Sequence, residues 1–133
     1  MLFWESKIIK VLKGKTALAG VHFVGQERTS SGKVYHIMIM DLLGDSLYEI
    51  HNKLNKRFDA DTTLNVGIQV LTILMEIHQQ GIIYRDLKPD NLLVGVHDPS
   101  KIFIVDFGLA KYYMEPKKPK ETTATPLKEE TKR

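Results

Sequence analysis

Tyr84-Arg85-Asp86-Leu87-Lys88-Pro89-Asp90-Asn91 is followed, fifteen positions after its asparagine, by Asp106-Phe107-Gly108. Between the two stretches lie Leu92-Leu93-Val94 and Ile102-Phe103-Ile104-Val105, short apolar runs that read as strands. Val96-His97-Asp98-Pro99-Ser100 separates them, and Asp-Pro favours a turn. A hairpin built this way brings Asn91, just before its first strand, and Asp106, just after its second, to one mouth. Gly108 permits a backbone turn after Asp106. Phe107 can pack inward and so fix where that aspartate points.

Upstream of this pair runs the clearest helix in the chain. Asp59 or Asp61 can cap it and Gly81 ends it. Leu64, Ile68, Leu71 and Met75 form one apolar stripe at helical spacing, and Val66, Val70, Ile73 and Ile77 a second. Asn65, Gln69, Thr72 and Glu76 make the only polar stripe. Such a helix is covered on most sides, yet the chain offers few other helices to cover it. Further out, Ser46 can cap a short helix to about Leu54. Val21–Gln26 and Val34–Met40 read as a hairpin around the polar turn Glu27–Lys33. Leu2–Leu12 reads as a helix with Ile8, Ile9, Val11 and Leu12 on its apolar face and Gly14 as its stop.

Composition sets the outer bounds. At 133 residues, 43% hydrophobic and 26% charged, the chain reads as soluble and globular and not as disordered or fibrous. The absence of cysteine excludes a disulfide framework, thiolate metal sites and a cysteine nucleophile. No apolar run approaches the roughly 18 residues of a membrane span. No basic segment followed by an apolar stretch opens the chain, so an intracellular protein, cytoplasmic and/or nuclear, is expected. Of the net charge of +3, residues 115–133 carry +2, from six Lys/Arg against four Glu. The body therefore has no basic stripe, and neither a nucleic-acid nor a membrane partner is expected.

Phosphoryl transfer from ATP needs few parts. One carboxylate orients the substrate hydroxyl, one cation offsets charge on the moving group, and two oxygen ligands hold Mg²⁺ against the phosphates. Asp86 fits the first part, Lys88 the second, and Asn91 with Asp106 the third. The two stretches match the protein-kinase signature H-R-D-x-x-x-x-N followed by D-F-G, with Tyr84 in place of the histidine.

The chain also resembles the casein kinase 1 family of serine/threonine protein kinases. The resemblance rests on Glu5-Ser6-Lys7-Ile8, Gly25-Gln26-Glu27, Met40-Asp41-Leu42-Leu43-Gly44-Asp45-Ser46-Leu47, Lys88-Pro89-Asp90-Asn91 and Asp106-Phe107-Gly108-Leu109-Ala110-Lys111. It runs nearly continuously over residues 2–113, with Asp45 in place of the usual proline. It implies that Glu5 is the helix glutamate that pairs with a phosphate-binding lysine. It implies that Met40 is the gatekeeper, that Asp41 to Leu43 are the hinge contacting adenine, and that Leu93 is the apolar floor beneath the base. Ile9, Tyr84 and Phe107 match the spine linking the lobes. ATP and Mg²⁺ are the implied cofactors. The implied partners are protein substrates with acidic or phospho-primed Ser/Thr sites, and the family is usually monomeric.

Parts of the kinase set are missing. None of the nine glycines form G-x-G, and only four residues precede Glu5, too few for the lysine-bearing strand. Lys7, Lys10, Lys13 or Lys15 could substitute, although solvated helix lysines are the simpler expectation. Pro126-Leu127-Lys128-Glu129-Glu130 is similar to the family's Pro-Tyr-Arg-Glu piece within the activation segment. The expected architecture is therefore α+β, an incomplete protein-kinase-like fold occupying residues 1–114. It divides into an N-lobe remnant over 1–40, a hinge over 41–44 and the start of a helical C-lobe over 45–114. Residues 115–133 are expected to be a basic, disordered start of the activation segment. The expected function is a casein kinase 1-type protein kinase fragment, inactive alone. The competing expectations are a non-catalytic, truncated interaction protein and another ATP phosphotransferase. Lys88-Pro89 and the Leu-Leu-Gly hinge disfavour the last.

Overall fold

The computed structural model describes residues 2–14 and 17–114. Lys15 and the whole of 115–133, including the Pro126–Glu130 likeness, lie outside the described residues. Helix α1 spans Leu2–Leu12 and buries Ile8, Ile9 and Leu12, the face its spacing predicts. Strands β1 (Val21–Arg28) and β2 (Val34–Met40) pair antiparallel, Val24 opposite Met38 and Gly25 opposite Ile37. β1 runs two residues past the expected Gln26. The reversal is closed by the Thr29 and Gly32 amides, donating to the Lys33 and Thr29 carbonyls at 2.9 Å each.

A three-stranded sheet in the order β3-β5-β6 follows, made of Leu43–Ser46, Leu92–Gly95 and Ile102–Ile104. The β5-β6 hairpin is the expected one, with Leu93 opposite Phe103. Strand β3 is new. It begins inside the expected hinge and crosses the boundary drawn at residue 45. Its pairing is irregular, Leu43 opposite Gly95 and Ser46 opposite Leu93, so Leu-Gly-Asp-Ser carries no alternating pattern to announce it. Gly44 is required there, because a Cβ would sit 2.9 Å from the Val94 side chain.

Helix α2 (Leu47–Lys53) starts in a capping box. The Glu49 amide donates to Ser46 Oγ at 3.2 Å, and the Ser46 amide donates to Glu49 Oε2 at 2.8 Å. Helix α3 (Ala60–Gln79) is capped by Asp59, whose carboxylate accepts from the Thr62 amide at 2.7 Å, which settles the choice between Asp59 and Asp61. Val70, Ile73 and Ile77 are buried, whereas Leu64, Ile68, Leu71 and Met75 are 61–66% exposed. Only one of the two apolar stripes is covered.

At the end of α3, Gly81 adopts φ +74° and donates to the His78 carbonyl at 2.9 Å. The chain then forms β4 (Ile82–Ile83), paired with β7 (Lys111–Tyr112), a ladder too short to leave a sequence pattern. Ile8, Leu12, Ile77, Ile82, Tyr84, Ile104 and Phe107 are almost wholly enclosed, so one core joins α1, α3 and the stretches around the hairpin. The α+β expectation holds. Among the described residues no helix is long and apolar enough to cross a membrane.

Candidate active site

The loop after β4 closes on itself through Asn91. A single 3₁₀ turn over Pro89–Asn91 places this asparagine at 6% exposure. Its Nδ2 donates to the Asp86 carbonyl and to Asp86 Oδ2, both at 2.9 Å. Lys88 Nζ lies 3.2 Å from the same Oδ2. Asp86 is half-buried and Lys88 exposed, so a carboxylate and an ammonium stand together at the surface on a fixed base.

The same asparagine reaches the other half of the site. Its carbonyl accepts from the Val105 amide at 3.0 Å. The Val105 carbonyl in turn accepts from the Tyr84 hydroxyl at 2.7 Å. The residue before Asp106 is thus held from both of its peptide groups. Burial pushes the Tyr84 phenol far above its ordinary pKa, so it stays a neutral donor. Its ring meets Phe107 edge-on at 5.3 Å. Phe107 is 1% exposed and packs inward, as its position after Asp106 suggested.

Two non-glycine residues here have left-handed backbones, Arg85 (φ +69°) and Asp106 (φ +63°). Each such conformation costs on the order of 1–3 kcal/mol and persists only where surrounding bonds over-determine it. Arg85 Nε donates to the Leu109 carbonyl at 2.7 Å, and the Gly108 amide donates to Asp106 Oδ1 at 3.2 Å.

Glu5 is not a solvated helix residue. It is 9% exposed, and its Oε1 accepts from the Phe107 amide at 3.0 Å across 102 positions. Burial pushes its carboxyl above the ordinary value; the Phe107 N–H opposes this and the charge of Asp106 adds to it. Glu5, Ile9, Leu18, Met40, Ile104 and Asp106 line one cavity of about 290 Å³. Three expected site residues, Glu5, Met40 and Asp106, therefore meet. Lys7, Lys10 and Lys13 are exposed, as solvated lysines would be.

The expected adenine contacts are placed elsewhere. Asp41 and Leu43 line a separate cavity of about 700 Å³ with Gly95, His97, Lys101 and Phe103. Asp41 Oδ1 lies 2.6 Å from His22 Nε2, and Oδ2 accepts from the Gly20 amide at 2.7 Å. These bonds hold the Asp41 carboxyl below its ordinary pKa. The Asp41 amide donates to the Gly20 carbonyl at 2.8 Å, which removes that donor from any ligand. Leu93 is half-buried between Ser46 and Phe103 in the sheet and lines neither cavity. Sequence reasoning missed two features. The Asn91 bridge to Asp86 was legible in their five-residue spacing, whereas the clamp of Asp41 on His22 and Gly20 had no local signal.

The loop that carries Asp86 and Asn91, the Asp106-Phe107-Gly108 turn bound to it and the Glu5 carboxylate behind them form one connected cluster. The protein kinase domain family matches residues 2–127, and the chain belongs to that family. Within that family, the chain is similar to casein kinase I proteins. It is 36% identical over 116 residues to casein kinase I homolog RAG8 of Kluyveromyces lactis. It is 35% identical over 116 residues to casein kinase I homologs 2 and 1 of Saccharomyces cerevisiae. Each match takes in 85% of this chain, and the chain spans only 20–21% of the length of these curated relatives. The architecture is accordingly a protein-kinase-like fold in part.

Proposed function

We propose that residues 2–114 form the catalytic-loop and magnesium-loop portion of a serine/threonine protein kinase of casein kinase 1 type. The single observation that carries this is Asn91, which binds Asp86 through its side chain and the strand leading to Asp106 through its backbone. Asp86 is the group that orients the substrate hydroxyl and accepts its proton. Lys88 supplies positive charge beside it.

The donor set suits magnesium. Asn91 spends its Nδ2 on Asp86, which turns its other amide atom, an oxygen, away from that contact. Asp106 keeps one carboxylate oxygen on the Gly108 amide and has a second. Among the described residues no three His, Asp or Glu side chains cluster to hold a metal. A magnesium site takes one or two protein oxygens and completes its shell with phosphate and water. When bound, Mg²⁺ offsets phosphate charge. Glu5 and Met40 line the cavity behind Asp106, whereas Asp41 and Leu43 line a separate cavity and Leu93 lines neither. Protein Ser/Thr sites with acidic or phosphorylated neighbours are the substrate class.

The 133-residue polypeptide assayed alone should transfer little or no phosphate. It has no G-x-G loop to exclude water and no strand lysine to clamp the phosphates. The test is a chimera in which residues 2–113 replace the matching stretch of casein kinase I homolog 2. Casein phosphorylation that Asp86→Asn and Asp106→Asn each abolish supports the proposal. Activity indifferent to both substitutions refutes it.

The uncovered stripe of α3 favours a second function, a non-catalytic interaction protein. Exposed patches of this kind drive association. Sedimentation of the chain and of an Ile68→Lys/Leu71→Glu variant separates the two. Self-association of the wild type that the variant loses, with no Mg²⁺–ATP binding, would favour the interaction protein.

A further inference from the structure

We infer that Trp4 is a positioning residue that latches α1 onto the turn carrying Phe107 to Ala110; this rests on the phosphotransfer proposal and deepens it. Trp4 and Glu5 are consecutive on α1 and reach the same turn at its two ends. Glu5 Oε1 accepts from the Phe107 amide at 3.0 Å, and Trp4 Nε1 donates to the Ala110 carbonyl at 2.8 Å. The Ala110 amide donates to the Phe107 carbonyl at 3.1 Å, so both anchors belong to one closed turn. The Trp4 ring also meets Tyr112 edge-on at 6.0 Å.

Two adjacent bonds do what one cannot. Consecutive helix side chains leave the axis about 100° apart. Core packing of Ile8, Ile9 and Leu12 holds the rest of α1, and the tie from Trp4, in another direction from that of Glu5, fixes its first turn against the Phe107–Ala110 turn. The turn is gripped on its other side by Arg85, which donates to the Leu109 carbonyl at 2.7 Å. Ala110 is 2% exposed, and its carbonyl needs a partner that water cannot readily supply. Trp4 itself is 38% exposed, more than a side chain kept only to fill the core. The latch fixes α1, and with it Glu5, relative to Asp106 across the cavity they share.

The test uses the 133-residue chain and amide hydrogen exchange. Trp4→Phe keeps the ring against Tyr112 and removes the N–H. The Phe107 amide, bonded to Glu5 and not to Trp4, should then exchange about fivefold faster, the worth of one hydrogen bond. The Ile73 and Ile77 amides of α3 should not change. An unchanged Phe107 amide, or one that speeds up in step with Ile73 and Ile77, overturns the latch. A second measurement needs no change at Trp4, which is the only tryptophan in the chain. Glu5→Ala should shift its fluorescence emission to the red, and unchanged emission overturns the latch. Neither measurement involves nucleotide, so failure to bind Mg²⁺–ATP would sink the phosphotransfer proposal without touching this one.

Discussion

Replacing Asn91 by aspartate keeps the shape of the side chain and reverses its chemistry. The amide that donates to the Asp86 carbonyl and to Asp86 Oδ2 at 2.9 Å becomes a carboxylate facing both. At 6% exposure, little water remains to intervene. The lost donor bonds are worth about 1 kcal/mol at the carbonyl and about 1.5–3 kcal/mol at the carboxylate. Two charges about 3 Å apart repel by roughly 5 kcal/mol at an effective dielectric of about 20, a ceiling that is not reached. Taking up one proton instead costs about 4 kcal/mol at about pH 7 for a carboxyl with an ordinary pKa near 3.9. The folded variant therefore holds one proton more than the unfolded chain. Its stability should fall by up to about 1.4 kcal/mol per pH unit as pH rises above that ordinary value. The protonated form restores one donor, so the loss shrinks in acid. Urea titrations of wild type and Asn91→Asp at about pH 5 and about pH 7 read this difference. A loss of under about 1 kcal/mol, equal at both pH values, would refute the Asn91 bridge as the organiser of the loop.

Tyr84→Phe removes only the hydroxyl that serves the Val105 carbonyl at 2.7 Å, and should cost about 1–3 kcal/mol in urea titration while Phe107 keeps its ring contact. An unmoved midpoint would mean that Val105 had found another donor. Ile77→Ala, at a position with 0% exposure, should cost about 2–5 kcal/mol, whereas Leu71→Ala, at 64% exposure on the same helix, should stay within about 0.5 kcal/mol. Equal losses would show that α3 is covered on both faces in solution. Glu5 has a raised pKa, so the fold binds its proton more tightly than the unfolded chain does, and stability should decline as pH rises above about 4.5. Asp41 has a lowered pKa, so its contribution is present above about 3.8 and is lost as pH falls below that value. Glu5→Gln should flatten the first slope and Asp41→Asn the second; a pH profile indifferent to both would contradict these environments.

Some elements were legible because their causes are local. The caps at Ser46 and Asp59, the stop at Gly81 and the turn before Lys33 depend on residues within four positions of each other. Strand β3 was illegible because it depends on β5, some fifty residues away, and is bulged. The β4-β7 ladder is two residues long, shorter than any period. At the site, the order Asp86, Lys88, Asn91, Asp106 was readable from type and spacing. The separation of Asp41, Leu43 and Leu93 from the Glu5 cavity was not, since it follows from how β3 sits on the hairpin.

By itself the sequence determined which chemical groups the loops carry, because a carboxylate, an amide or a glycine acts the same wherever the chain puts it. It also determined the helices and hairpins, because capping and periodicity act over a few residues. Only the tertiary structure decided what those groups face. Burial turned Glu5 from a surface charge into an acceptor for the Phe107 amide, and a contact spanning 106 positions gave Trp4 its partner. It also left one stripe of α3 uncovered while the other entered the core. Such outcomes depend on which distant segments arrive at the same place, and no spacing along the chain encodes that.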